Sequence, residues 1–258
     1  MPPHHENGHR ECRTFGFVQG GRFSSLLRMI IAPSLLAANF GKFAAETQRA
    51  SKARAEWLHL DIMDGHFVPN ISFGPEVVRA IRPLTKMFFD VHLMCSKPEI
   101  LLEPFAKAGA NQLTIHVELA DRVPQLLWKI RSLGVKVGLA VNPPTGVAQA
   151  QPYLKQIDLL LVMTVNPGFG GQPFISEMLP KIQQAAAWRR ELGLHYRIEV
   201  DGGINQQTAI ECAKAGADTF VSGTALFGQR QLGTAVRKMR DAVTKAARKS
   251  AAKVVAAC

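Results

Sequence analysis

From residue 29 onward, short apolar runs recur along the chain with helix-like spacing between them, and this alternation constrains the fold more than any other feature. The runs are Met29–Leu35, Trp57–Ile62, Met87–Leu93, Gln112–Val117, Lys136–Val141, Leu159–Thr164, Tyr196–Val200 and Asp218–Val221. Helical spacing fills the gaps, as in Ile175–Leu192 and Asn205–Ala215. Parallel strands need a crossover between them, so strand alternating with helix predicts a parallel sheet. Eight such units point to an α/β fold of the closed (β/α)8 TIM-barrel type, for which about 250 residues is the usual length. An open doubly wound sheet is the structural alternative, but it usually carries a Gly-rich turn after its first strand. Here Ala37, Ala38 and Asn39 stand at that place. Gly109, Gly134, Gly193 and Gly216 fall where helices are expected to stop.

Three segments are expected. Residues 1–28 lack a clear period and read as a disordered extension, residues 29–245 as the barrel, and residues 246–258 as a basic C-terminal tail. The net charge of +11 would suit a nucleic-acid partner if it were spread over the barrel. Instead residues 29–229 hold 19 basic against 17 acidic groups, while residues 230–258 hold eight against one. The excess therefore reads as a solvated basic helix, and no nucleic-acid partner is expected. No apolar run reaches about 18 residues, so no membrane span is expected. The cysteines, Cys12, Cys95, Cys212 and Cys258, form no C-x-x-C pair and match no zinc spacing. They read as reduced thiols of an intracellular protein, with a cytoplasmic location expected and organellar import through residues 1–28 left open.

Barrel enzymes work at the C-terminal ends of their strands. The second strand ends in His59-Leu60-Asp61-Ile62-Met63-Asp64, the third in Asp90-Val91-His92-Leu93-Met94, and the seventh in Glu199-Val200-Asp201-Gly202-Gly203. Strand side chains alternate faces, so His59, Asp61 and Met63 share one face and Leu58, Leu60 and Ile62 the other. Asp90, His92 and Met94 likewise project together. Two histidines and two aspartates from three strand ends can converge on one divalent cation, and mixed imidazole and carboxylate ligation suits Zn²⁺, Fe²⁺, Mn²⁺ or Co²⁺. For any one of these residues alone, a hydrogen-bonded core position is the commoner fate. That reading covers His116 and His195, which are left unassigned. Met63, Met94 and Met163 all fall near strand ends, where they either fill core or form a soft, water-excluding ceiling.

The sixth strand runs into Asn166-Pro167-Gly168-Phe169-Gly170-Gly171-Gln172. The seventh adds Gly202-Gly203 and the eighth Ser222-Gly223-Thr224. Glycines let backbone N–H groups converge on an anion, and the loops after strands seven and eight are the usual phosphate site of barrels. No Gly-Lys-Thr or Gly-Lys-Ser sequence is present, which argues against a nucleoside triphosphate.

These stretches, with Ala32 through Leu36 and Asp64 through Asn70, resemble the ribulose-phosphate 3-epimerase family, whose barrel is of the ribulose-phosphate-binding type. The resemblance spans residues 30 to about 228. It implies that His59, Asp61, His92 and Asp201 bind one divalent metal ion per subunit. Asp61 and Asp201 would also be the acid and base groups. Ser34 and His92 would contact the substrate, and Gly168, Phe169, Gly170, Gly171, Gly202, Gly203, Gly223 and Thr224 would hold its phosphate. Met63, Met94 and Met163 would line the intermediate. The implied reaction interconverts D-ribulose 5-phosphate and D-xylulose 5-phosphate through a cis-enediolate, in a homo-oligomer acting on a small sugar phosphate. Ala38-Asn39 departs from the family pattern, where many members have a small residue followed by Asp. The alternatives are an epimerase for a six-carbon ketose phosphate such as allulose 6-phosphate, and a non-catalytic phosphate- or nucleic-acid-binding barrel. A decarboxylase or aldolase-type barrel would need a strand-end Lys, and none occurs in residues 59–70 or 90–94.

Overall fold

A computed structural model describes residues 28–256. The expected N-terminal extension, apart from Arg28, lies outside the described residues, as do Cys12 and Cys258. Eight strands form one parallel sheet: β1 (Ile30–Pro33), β2 (Trp57–Met63), β3 (Phe88–Met94), β4 (Gln112–His116), β5 (Lys136–Val141), β6 (Leu159–Met163), β7 (Arg197–Asp201) and β8 (Thr219–Ser222). Every expected strand is present, with ends shifted by at most two residues. Neighbours pair in the order β1-β8-β7-β6-β5-β4-β3-β2, and a parallel bridge between Ser34 and His59 joins the two outer strands into a nearly closed barrel.

The crossovers carry α1 (Phe43–Lys52), α2 (Pro75–Ile81), α3 (Leu102–Ala108), α4 (Val123–Ser132), α5 (Leu179–Glu191) and α6 (Gln206–Ala215). A short α7 (Thr224–Phe227) follows β8, and α8 (Leu232–Ala256) ends the described chain. Between β5 and β6 the chain makes 3₁₀ turns over Val147–Tyr153, a stretch containing Pro152, which cannot donate to a regular helix. The four glycines expected at helix stops all have positive φ. Gly109 and Gly216 are themselves the C-caps of α3 and α6.

The alternation along each strand divides the core in two. Leu58, Leu60, Ile62, Val91 and Leu93 face outward and join Ala50, Val78, Ile81 and Phe105 in one apolar layer under the helices. Inside the barrel, Ile30, Ala32, Leu159, Leu161, Met163 and Val221 form a smaller cluster. His59, Asp61, Asp90, His92, Gln112, Thr114, His116 and Glu199 are also buried. So many buried polar groups would be costly unless they satisfy one another or an ion. Helix α8 buries Leu232, Val236, Met239 and Val243, and Arg240 ties it to Glu56 at 2.7 Å and to the carbonyl of Arg54 at 2.9 Å. The helix continues past residue 246, where the sequence suggests the start of a tail. Among the described residues no helix is long and apolar enough to cross a membrane.

Candidate active site

The pairing of β2 with β3 puts Asp61 beside His92 and His59 beside Asp90. His59 Nε2 lies 3.2 Å from Asp61 Oδ1 and 4.0 Å from Asp201 Oδ2, and His92 Nδ1 lies 3.3 Å from Asp61 Oδ1. The four residues expected to share a cation thus come together, each offering a ligand atom within 4.8 Å of the others. Ser34 closes the group from β1 by donating from Oγ to Asp61 Oδ2 at 2.6 Å.

The donor set fits a divalent ion. His59 Nε2 is buried and has no hydrogen-bond partner among the described residues, although it points at two carboxylates. Its other nitrogen, Nδ1, lies 2.7 Å from Asp90 Oδ2, and Asp90 Oδ1 accepts from Gln112 Nε2 at 2.7 Å. A carboxylate on the far nitrogen is the usual support for a metal-binding histidine, because it fixes the ring and leaves the near nitrogen bare. A second grouping of His59, Asp90 and Glu199 sits deeper, and none of its three residues lines the cavity above.

The two aspartates are driven apart in acidity. Burial works against ionisation of Asp61, but the charge of His59, 3.2 Å away, and a hydrogen bond with His92 outweigh it and hold the carboxyl well below its ordinary range. Asp201 is pushed up to about 7 by burial and by the neighbouring charge of Asp61. For His59, burial favours the neutral ring, yet Asp61 and Asp90 raise its pKa well above the ordinary value. Burial lowers His92 to about 4, so its ring is neutral at physiological pH. Glu199 is raised well above the carboxylate range by burial and by the charge of Asp90.

Above these groups opens a cavity of about 540 Å³. Asp61 and Asp201 form part of its floor, and Met63, Met94 and Met163, all buried, line its wall. Ser34 reaches it too, whereas His59 and His92 lie beneath the surface and do not line it. The rim holds Gly168, Phe169, Gly170, Gly171, Gly202, Gly203, Gly223 and Thr224 together. Gly203 has φ +64, and a Cβ there would sit 2.5 Å from the backbone N of Phe174, so the loop closes only around glycine. The β2 and β6 loops are tied where Asn70 Nδ2 donates to the carbonyl of Gly168 at 2.8 Å. Asp64 builds the β2 loop by accepting from the amides of His66, Phe67 and Ser96.

Several supporting residues escaped the sequence reading. Thr164 Oγ1 donates to the carbonyls of Asp201 and Gly202, at 2.8 and 2.6 Å, and so sets the tip of β7. Asn205 and Thr208, which cap α6, also line the cavity. His116 stands at 2.8 Å from His92, Nε2 to Nε2. The strand alternation put Asp90 on the inner face, but only the register with β2 shows that it supports His59. Cys95 and Cys212 are free and buried, with thiols pushed up to about 12 chiefly by burial.

Comparison with known proteins shows the family of the chain. The model of the Ribulose-phosphate 3 epimerase family matches residues 30–227. A ribulose-phosphate 3-epimerase of Synechocystis is 44% identical over 215 residues, covering 83% of this chain and 94% of that protein. That of Bacillus subtilis is 43% identical, covering 81% of this chain and 97% of its own length. A chloroplastic ribulose-5-phosphate-3-epimerase of Arabidopsis thaliana is 39% identical, covering 91% and 85%. Among solved structures, 3-hexulose-6-phosphate synthase from Salmonella typhimurium superposes with a TM-score of 0.62 at 17% identity, over 84% of this chain and 100% of that one. Orotidine 5′-phosphate decarboxylase from Pyrococcus horikoshii also gives 0.62, at 12% identity over 83% and 99%. These two likenesses speak for the barrel fold alone.

Proposed function

The chain belongs to the ribulose-phosphate 3-epimerase family of carbohydrate isomerases, and from that premise we propose that it interconverts D-ribulose 5-phosphate and D-xylulose 5-phosphate with the help of one divalent metal ion per subunit. The observation that carries this reading is the convergence of His59, Asp61, His92 and Asp201 under a cavity rimmed by three Gly-rich loops. His59, Asp61, His92 and Asp201 would hold the ion. When bound, it supplies Lewis-acid stabilisation of the negative charge that develops on the ketone and hydroxyl oxygens.

The residues of the chain account for the remaining chemistry. Inversion at the third carbon requires loss of a proton from one face and its return to the other. Asp61 and Asp201 come from β2 and β7, both reach the cavity, and their surroundings favour opposite protonation states. One is the base that takes the carbon-bound proton and the other the acid that delivers one to the opposite face, with the roles exchanged in the reverse direction. The substrate passes through a cis-enediolate. Met63, Met94 and Met163 keep water from it, so charges inside the cavity act at low dielectric. Ser34 orients Asp61 and contacts the substrate near the reacting carbons. The loops bearing Gly168–Gly171, Gly202–Gly203 and Gly223–Thr224 take the phosphate through backbone N–H groups.

A coupled assay on ribulose 5-phosphate, before and after treatment with a strong chelator, tests this reading. Turnover should stop on chelation and return with Zn²⁺, Fe²⁺, Mn²⁺ or Co²⁺. Full activity in the stripped protein would reject the metal's role. Faster turnover of a six-carbon ketose phosphate than of the pentose would replace the substrate. A cytoplasmic location and a homo-oligomeric state belong to the same reading, and fractionation and sedimentation measure them.

A further inference from the structure

We propose that Asn70 is a positioning residue for the loop after β6, which it braces from the loop after β2 so that the N–H groups of the β6 loop stay free for the phosphate. This rests on the reading of Gly168–Gly171 as a phosphate loop given above. Asn70 does not line the cavity, whereas Gly168, Phe169, Gly170 and Gly171 do. Its carboxamide is used at both ends. Nδ2 donates to the carbonyl of Gly168 at 2.8 Å, and Oδ1 accepts from the amide of Ile71 at 2.9 Å. A carbonyl only accepts and a backbone amide only donates, so these two partners settle which end of the side chain is the donor. The β2 loop behind Asn70 is closed on itself. The Asn70 carbonyl accepts from the amide of Gly65 at 2.9 Å, its amide donates to the carbonyl of Val68 at 2.8 Å, and Val68 is buried in one cluster with Met63 and Met94. Val68 and Pro69 also stand beside buried Gly168, 3.4 and 3.7 Å from where its Cβ would lie.

The brace matters because glycine does not hold such a loop by itself. Gly168 has φ +126 and Gly171 φ +77, and with Gly170 between them the peptide planes can turn over at little steric cost. A turned plane would put a carbonyl oxygen where an anion needs an N–H. The carbonyls are held instead. Asn70 takes that of Gly168, and Gln172 Nε2 donates to those of Asn166 and Phe169 at 2.7 and 2.8 Å. The C=O and N–H of one trans peptide point in opposite directions. Holding the Gly168 carbonyl therefore aims the N–H of Phe169 away from Asn70. Holding the Phe169 carbonyl likewise aims the N–H of Gly170 away from Gln172. Among the described residues, none of the N–H groups of Gly168, Phe169, Gly170 and Gly171 has a protein acceptor. Free donors along one cavity rim, with three carbonyls of the same loop tied back, make a cradle for an anion. Gln172 is carried by the loop itself, whereas Asn70 ties the loop to β2.

The test is amide NMR of the full, nitrogen-15-labelled chain titrated with inorganic phosphate, with calorimetric Kd values for wild type, Asn70→Ala and Asn70→Asp. In the wild type the amide protons of Phe169 and Gly170 should move downfield as phosphate binds. Asn70→Ala removes the donor without adding charge, and it should weaken phosphate binding by roughly 3- to 10-fold, the worth of about one hydrogen bond. Asn70→Asp keeps an acceptor for Ile71 but has no proton for Gly168, so it should bind phosphate no better than Asn70→Ala. Affinity for Zn²⁺ or Mn²⁺ should be the same in all three. With ribulose 5-phosphate the loss should appear in KM, with kcat changed by less than about twofold. Melting curves show whether each variant folds, and Asn70→Asp, nearly the same in shape, decides if Asn70→Ala does not. Unmoved Phe169 and Gly170 amides would overturn the proposal, as would a folded variant with wild-type phosphate affinity. So would variants that lose phosphate and metal affinity alike, the mark of a loop that is merely loosened. A wild type that binds phosphate in this way but does not turn over ribulose 5-phosphate would instead reject the proposed reaction and leave the role of Asn70 standing.

Discussion

Asp61 and Asp201 are the same residue type in opposite electrostatic settings. Asp61 sits against two imidazoles and stays ionised, whereas Asp201 keeps its proton up to about 7 because it is buried beside Asp61. If they are the base and acid of the inversion, each is needed. Asp61→Asn or Asp201→Asn should lower kcat by about 10²- to 10⁴-fold, with circular dichroism showing the fold retained. Near-normal turnover by either variant would sink the two-acid assignment. The same groups make metal binding depend on pH. His59 is held protonated well above its ordinary range and Asp201 up to about 7, so an ion that binds both must displace their protons. The sign follows: affinity should fall as the pH drops below about 7 and rise above it, and a fixed affinity across that window would contradict the ligand set.

At the scale of elements, the loops that follow the strands are held by caps and by contacts between loops rather than by length. Helix α6 begins with a reciprocal cap in which Asn205 Oδ1 accepts from the amides of Gln207 and Thr208, while Thr208 Oγ1 accepts from the amide of Asn205. Because both residues also line the cavity, this one cap links helix stability to the Gly-rich rim proposed to hold the phosphate. Asn205→Ala should cost about 1 kcal/mol in chemical denaturation. If that rim holds the phosphate, the substitution should also raise KM more than it lowers kcat, since the phosphate of a pentose 5-phosphate is remote from its third carbon. An unchanged KM would separate the cap from the site.

For the whole molecule, the polar barrel interior is the feature that sets stability apart from an ordinary apolar core. Buried carboxylates and imidazoles from β2, β3, β4 and β7 face each other across the lumen. An ion that binds only the folded state stabilises it by mass action, by about 2.7 kcal/mol at a hundred times Kd. For a chain of this size that corresponds to a rise of roughly 5–10 °C in Tm, with scanning calorimetry as the measurement. A melting temperature that ignores saturating Zn²⁺ or Mn²⁺ would mean that the lumen holds no such ion. Seven of the eight basic residues of 230–258 lie in α8 and none of them lines the cavity, which is why the +11 net charge says little about it.

The sequence by itself determined the eight strands, their crossovers and the inward face of each strand. These depend on local periods of 2 and 3.6, which are written along the chain. The pairs His59 and Asp61 and Asp90 and His92 were legible for that reason, as were the Gly-rich rims after β6, β7 and β8. Contacts between strands depend on register and barrel closure, which no local period encodes. Only the tertiary structure could set Asp90 behind His59, bring Asp201 within reach of β2, place Thr164 under the tip of β7, and turn His116 from an unassigned core histidine into the neighbour of His92.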